Sequence, residues 1–210
     1  GDSNAADRDS LDIDFGDGSP IGLAPRINGP GNKGQDLGNN IKYNVYYVEH
    51  SYPGSATYIV SVEDPNRIDK IININYGASV DIAFFLQDPL FFPETQFYGY
   101  NNSPILYQPP IDYGNVGEIF IHNPNAWDPD GDSLYFELTT PLAGLNNPVP
   151  LYQLPSQVPK PSGNNQLTLN PTTGELIWNA PATAGIYNIA ILIHEYRNGK
   201  QIGNMMRDMQ

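Results

Sequence analysis

The sequence predicts an all-β chain folded as two antiparallel sandwiches in tandem, and three observations carry that prediction. Short runs of alternating apolar and polar residues recur along the chain, each bounded by Gly, Pro, Asn or Asp. Gly and Pro, 20 of each in 210 residues, are too frequent for a chain rich in helices. No stretch sustains helical periodicity over the roughly 10 to 12 residues of a core helix, and no alternation of strands with helices suggests a parallel sheet.

Taken in order, the strand-like runs are "LDIDFG", "KYNVYYVEH", "ATYIVSVED", "KIININY", "SVDIAFFLQ", "EIFIHN", "SLYFELT", "QLTLN", "ELIWNA" and "IYNIAILIHEY". Their spacing is that of antiparallel sandwiches. Between the fifth and sixth runs, "DPLFFPETQFYGYNNSPILYQPPID" is crowded with Pro and Asn and has little period-two pattern, which marks a crossing between domains. The expected division is therefore 1–92 for the first sandwich, 93–104 for the linker and 105–210 for the second. A second Pro-rich stretch, Thr140 to Asn165, lies within the second domain, and a loop of that length is functional or mobile as a rule. The acidic, polar start of the chain and its end in a strand-like run suggest a piece of a longer protein.

Apolar residues make up 40% and charged residues 16%, a globular balance. The net charge of −13 repels phosphate backbones and anionic lipid, which argues against nucleic acid and membrane surfaces as partners and makes cations the natural counter-charge. There is no cysteine, hence neither disulfides nor thiolate metal sites. No run reaches the roughly 18 apolar residues of a membrane span, so no direct insertion is expected.

The acidic motifs come next. "DPDGD" sets Asp128, Asp130 and Asp132 on alternate residues, so that one turn can aim several carboxylate oxygens at a point, as a hard cation such as Ca²⁺ requires. An Asx-type turn launching a strand explains the same residues without a metal. It is not an EF-hand, since Gly131 is fourth rather than sixth and the twelfth residue is Thr139. "DIDFGDG", with Asp12, Asp14 and Asp17, reads as a tight hairpin whose aspartates bond to backbone amides. His50, His122 and His194 stand singly and read as structural, and "HEYRN" has Asn198 where a zinc protease motif needs its second His.

Two resemblances follow from these motifs. "DFGDG" followed by "HSYPGSATYIVSVED" resembles a polycystic-kidney-disease-type (PKD) domain, an immunoglobulin-like sandwich, here with a long insert from Pro25 to Asn40, and the resemblance implies that this first sandwich lacks its opening strands, which would precede "DRDSLDIDFGDG". "AWDPDGDSLYFEL" with "LTLNPTTGELIWNAPATAGIYNIAILIHE" resembles a cadherin-like domain of the dystroglycan type, whose closing Asp is replaced by Glu195. The order of the two is similar to large surface proteins of Bacteroidetes linked to gliding motility and type IX secretion. The resemblance implies two tandem immunoglobulin-like sandwiches, located outside the cell and attached to the outer membrane. It also implies a non-catalytic structural or adhesion module, with neighbouring domains of the same chain and a surface glycan or protein as partners. The expected metal ligands are Asp128, Asp130, Asp132 and Glu195, holding a structural Ca²⁺ that stiffens the module. "DSL" at Asp9 to Leu11 and at Asp132 to Leu134 resembles the O-glycosylation acceptor of such proteins, at Ser10 and Ser133, although each also sits where a strand begins.

Catalysis is not expected, for the chain has no nucleophile elbow, no HExxH and no phosphate-cradling loop. The alternative function is a carbohydrate-binding module. Trp178 and Tyr187 read as core anchors, whereas Phe91, Phe92, Phe97, Tyr98 and Tyr100 in the crossing segment would supply either an inter-domain contact or a sugar platform.

Overall fold

The computed structural model of the chain describes residues 7–38, 41–65, 67–92, 98–158 and 165–210. Among the described residues the regular elements are sixteen strands and three short 3-10 turns, and every strand ladder is antiparallel. The first six strands are β1 (Ser10–Ile13), β2 (Gly22–Pro25), β3 (Gln35–Gly38), β4 (Ile41–Tyr43), β5 (Thr57–Asp64) and β6 (Phe84–Phe91). The next six are β7 (Ile105–Leu106), β8 (Phe120–His122), β9 (Ala126–Trp127), β10 (Ser133–Thr139), β11 (Leu142–Gly144) and β12 (Asn147–Pro148). The last four are β13 (Gln166–Leu169), β14 (Leu176–Asn179), β15 (Ile189–Arg197) and β16 (Lys200–Met209).

In the first part of the chain, β1 pairs with β2 across the DFGDG turn, β3 pairs with β4, and β5 pairs with β6 along its whole length. The turn is built as its aspartates suggest: Asp14 Oδ1 accepts the Gly16 N–H and Asp17 Oδ1 that of Ser19. Asp17 Oδ2 lies 2.7 Å from His50 Nε2, and the His50 ring stacks on Phe15 at 3.9 Å. Hydrogen bonds from Ser19, first, and His50 hold the Asp17 carboxyl at about 2. An aromatic row continues through Tyr52 and Tyr58 to Phe92. Phe92 therefore packs inward instead of forming an open platform.

The later part has two sheets face to face, β10–β15–β16 and β8–β14–β13. Phe136, Leu176, Ile189, Ile191, Ile193 and Met209 from both sheets form the main core, with Phe120, Leu134, Leu167 and Leu169 around it. Alternation places Ile189, Ile191 and Ile193 of β15 there, and Asn198–Gly199, both at positive φ, close the β15–β16 hairpin as an Asn-Gly turn should. Trp178 is 4% exposed with its indole N–H on Asn165 Oδ1, and the Tyr187 hydroxyl donates to the Thr183 carbonyl.

Three stretches depart from expectation, and the first is "KYNVYYVEH", in which β4 ends at Tyr43 and only an isolated bridge from Tyr46 to Arg26 follows. "KIININY" makes a single bridge at Ile71 and then a 3-10 turn at Asn75–Gly77. The reason is Asn73, 1% exposed, whose amide donates to the Gln153 and Asn188 carbonyls and accepts the Asn188 N–H, a substitute for a strand partner. Ile71 and Ile74 are thereby buried with Val149 in a second core. The Pro-rich stretch after Thr140 contains β11 and β12, and Pro141, Val149 and Pro155 are buried, while residues 159–164 lie outside the described part.

Contacts run across the expected junction at 93–104, of which 93–97 lie outside the described residues. Phe85 of β6 pairs with Leu142 of β11, the Met206 N–H donates to Asp88, and Arg67 forms a fully buried ion pair with Asp208 at 2.9 Å. Residues 67–91 are built into the packing of the later part.

Candidate functional site

The DPDGD turn leads into β10, and the β10–β15 ladder decides what faces it. Ser133 pairs with Tyr196 and Leu134 with Glu195, so the same register brings Arg197 opposite Asp132. The turn is first an Asx structure: Asp128 Oδ1 accepts the N–H groups of Asp130 (2.9 Å) and Asp132 (3.0 Å), and Gly131 takes φ +80°. That backbone requirement explains the glycine at the fourth position.

The three aspartates offer ligand atoms within 4.8 Å of one another, so the expected carboxylate cluster is brought together and could hold a metal ion. Most of its oxygens already have partners. Arg197 binds Asp132 bidentately, Nε to Oδ1 at 2.8 Å and Nη2 to Oδ2 at 2.5 Å, and reaches Asp130 Oδ2 at 3.3 Å. Asn102 donates to both Asp130 oxygens, through its backbone N–H at 2.7 Å and its side-chain amide at 3.0 Å. These bonds, the Asn102 backbone N–H first, hold the Asp130 carboxyl below the usual range, while the hydrogen bond to Asp132 raises Arg197 further. Among the aspartate oxygens, Asp128 Oδ2 is buried without a hydrogen-bond partner.

Arg197 also donates to the carbonyls of Tyr98 and Tyr100 and to Asn101 Oδ1, so one guanidinium laces residues 98–101 to the turn. Glu195, the fourth expected ligand, is 1% exposed and accepts a 2.6 Å bond from Asn101 Nδ2. Burial, opposed by that bond, pushes its carboxyl up to about 7, with Asp128, Asp132 and Asp88 adding to the shift. Gly203 stands across the β15–β16 ladder from it, and a Cβ there would lie 2.6 Å from Glu195 Oε1. Arg197, Asn101 and Asn102 were not foreseen from the sequence. Only the pairing register relates "HEYRN" to "DPDGD", and nothing in "NNSP" marks its asparagines as partners.

Of the crossing-segment aromatics, Phe92 packs on Tyr52 and Tyr58, Tyr98 lies under the Lys200 ammonium at 4.3 Å, and Tyr100 is 87% exposed. Phe97 lies outside the described residues. Other exposed aromatics include Trp127 and Tyr107, on the β7–β9 ribbon and just beyond it. A cavity of about 600 Å³, lined by Val116, Trp178, Ile186 and Tyr187 among others, is mostly apolar and shares no lining residue with the acidic region.

No family model matches the chain, and no characterised protein or solved structure does either.

Proposed function

We propose that the chain is a non-catalytic structural and adhesive module of an exported surface protein, built as two immunoglobulin-like sandwiches locked together through residues 67–91. The observation that carries this reading is the Arg197 latch: acids that could have served chemistry are bound to a fixed cation and to backbone amides, and through them the segment at 98–102 is fastened to two strands. A fixed guanidinium also supplies the positive charge that the crowded aspartates require, the role expected of calcium. Neighbouring domains of the same chain and a surface glycan or protein remain the proposed partners, at the cell surface.

Calcium at the turn is a second reading, favoured by the orphaned Asp128 Oδ2. Ca²⁺ takes about 6 to 8 oxygens, so binding there would require Arg197 to release Asp132. Thermal unfolding separates the two readings. If the latch alone holds the turn, millimolar calcium leaves Tm unchanged, and Arg197→Met lowers it while exposing Tyr98 and Tyr100 to limited chymotrypsin digestion. If calcium binds with a dissociation constant on the order of 10⁻³ to 10⁻⁴ M, 5 mM adds roughly 1 to 2 kcal/mol, and Asp128→Asn abolishes the gain. An Arg197→Met protein as stable and as protease-resistant as the wild type would end the latch reading.

A further inference from the structure

Behind the latch lies a cavity of about 390 Å³ between β6, the end of β15, β16 and residues 99–103. Two acids line it, Asp88 and Glu195, together with Phe91, Phe92 and Tyr100 and the amides of Asn101 and Asn204. Among the described residues no lysine or arginine lines it, and neither acid has an ion-pair partner, in contrast to Asp130 and Asp132 outside. Glu195 accepts one hydrogen bond, from Asn101 to Oε2; Oε1 lies over the bare backbone of Gly203 and accepts none. Asp88 accepts one, from the Met206 N–H. A nearly fully buried carboxyl with one oxygen free of hydrogen bonds in a cavity is costly to keep ionised unless a cation completes it, the alternative being uptake of a proton.

We propose that this cavity binds a primary alkylammonium group, its N–H donors shared between Asp88 and Glu195 and its carbon chain lying among the aromatic residues. The site goes beyond the structural role argued above and does not involve the turn's aspartates. Charge sets the sign of the ligand, for among the described residues the two carboxyl groups are the only lining side chains that ionise near neutral pH. The cavity falls in the range of small-molecule sites, roughly 300 to 1,000 Å³, far larger than one metal ion needs. Two carboxylates supply at most four of the roughly 6 to 8 oxygens of Ca²⁺, whereas they match the three donors of an ammonium, which also gains from neighbouring aromatic faces. The source of the group is either a free amine or the lysine side chain of a protein partner.

The test is a titration of the whole chain with n-butylammonium at pH 8 and low salt, followed by calorimetry and by backbone amide shifts. Saturable binding is expected, with shifts at Gly99, Tyr100 and Gly203 and affinity at least tenfold weaker in Glu195→Gln and in Asp88→Asn. Should either variant fail to fold, the shift map on the wild type and the other variant still decide. A lysine-containing peptide binding as tightly as butylammonium identifies a protein source, and butylammonium binding alone identifies a free amine. The proposal is overturned if the amine does not saturate, if neither variant weakens it, or if calcium alone binds in a Glu195-dependent way. Arg197 holds one wall of the cavity through Tyr100 and Asn101, so the titration is made on the wild-type protein, where the amine's failure to bind leaves the protease test of the latch to be decided separately.

Discussion

Removing Arg67 is the sharpest test of how the two parts of the chain are joined. Its side chain is fully buried, donating from Nη2 to Asp208 Oδ2 and to the Leu142 carbonyl at 2.9 Å each, and from Nε to the Ala83 carbonyl at 3.2 Å. Arg67→Met keeps much of the apolar stem but leaves Asp208, itself 8% exposed, facing no cation. Breaking a buried pair by losing one partner costs about 3 to 5 kcal/mol, and for a chain of this length each kcal/mol lowers Tm by about 2 to 4 °C, which together give a drop of roughly 6 to 20 °C. Burial already pushes the Asp208 carboxyl above its ordinary range against the pull of Arg67. Without Arg67 it takes a proton more readily, so the loss should be smaller at pH 5 than at pH 8. Urea unfolding at both pH values measures this, with Arg67→Met/Asp208→Leu as the control that removes both charges and recovers most of the stability. A single variant within about 1 kcal/mol of wild type, or a double variant no better than the single, would refute the reasoning.

Residues 105–210 expressed alone lack Arg67, Ile71 and Ile74, and are expected to show no cooperative thermal transition by circular dichroism. Burial raises Asp88 to about 6, so the folded state binds that proton more tightly than the unfolded chain; its contribution to stability is present below about pH 4 and is lost as pH rises to about 6. Asp88→Asn should flatten the stability profile across that window, and an unchanged slope in urea titrations would count against it. Arg197→Met should cost roughly 1.5 to 3 kcal/mol, the loss of hydrogen bonds to charged groups, measured by the same unfolding. Gly203→Ala places a methyl 2.6 Å from Glu195 Oε1 and should cost about 1 to 3 kcal/mol while breaking the Asn101 bond, visible as a shifted Asn101 side-chain amide resonance.

Much of the fold was legible because it rests on local rules. Alternation at "SLYFELT" and "IYNIAILIHEY" is a period-two signal that only a half-buried strand satisfies, and Asn198–Gly199 names its own hairpin turn. The glycines and aspartates of "DFGDG" and "DPDGD" likewise carry their turns in their side-chain chemistry. "KIININY" misled for the converse reason, since its polar Asn73 is satisfied by residues 80 and 115 positions away. What tertiary structure alone decided is which charges meet. Three aspartates in one turn are read directly from the sequence, but whether their repulsion is relieved by a metal or by an arginine depends on the register between strands some 60 residues apart. A one-residue slip in that pairing would turn Arg197 away from Asp132, so a short motif cannot contain the answer. The same holds for Glu195 and Asp88. Each is an ordinary acid in the sequence, and only the packing of β6 beside β16 makes them the two acids of one cavity.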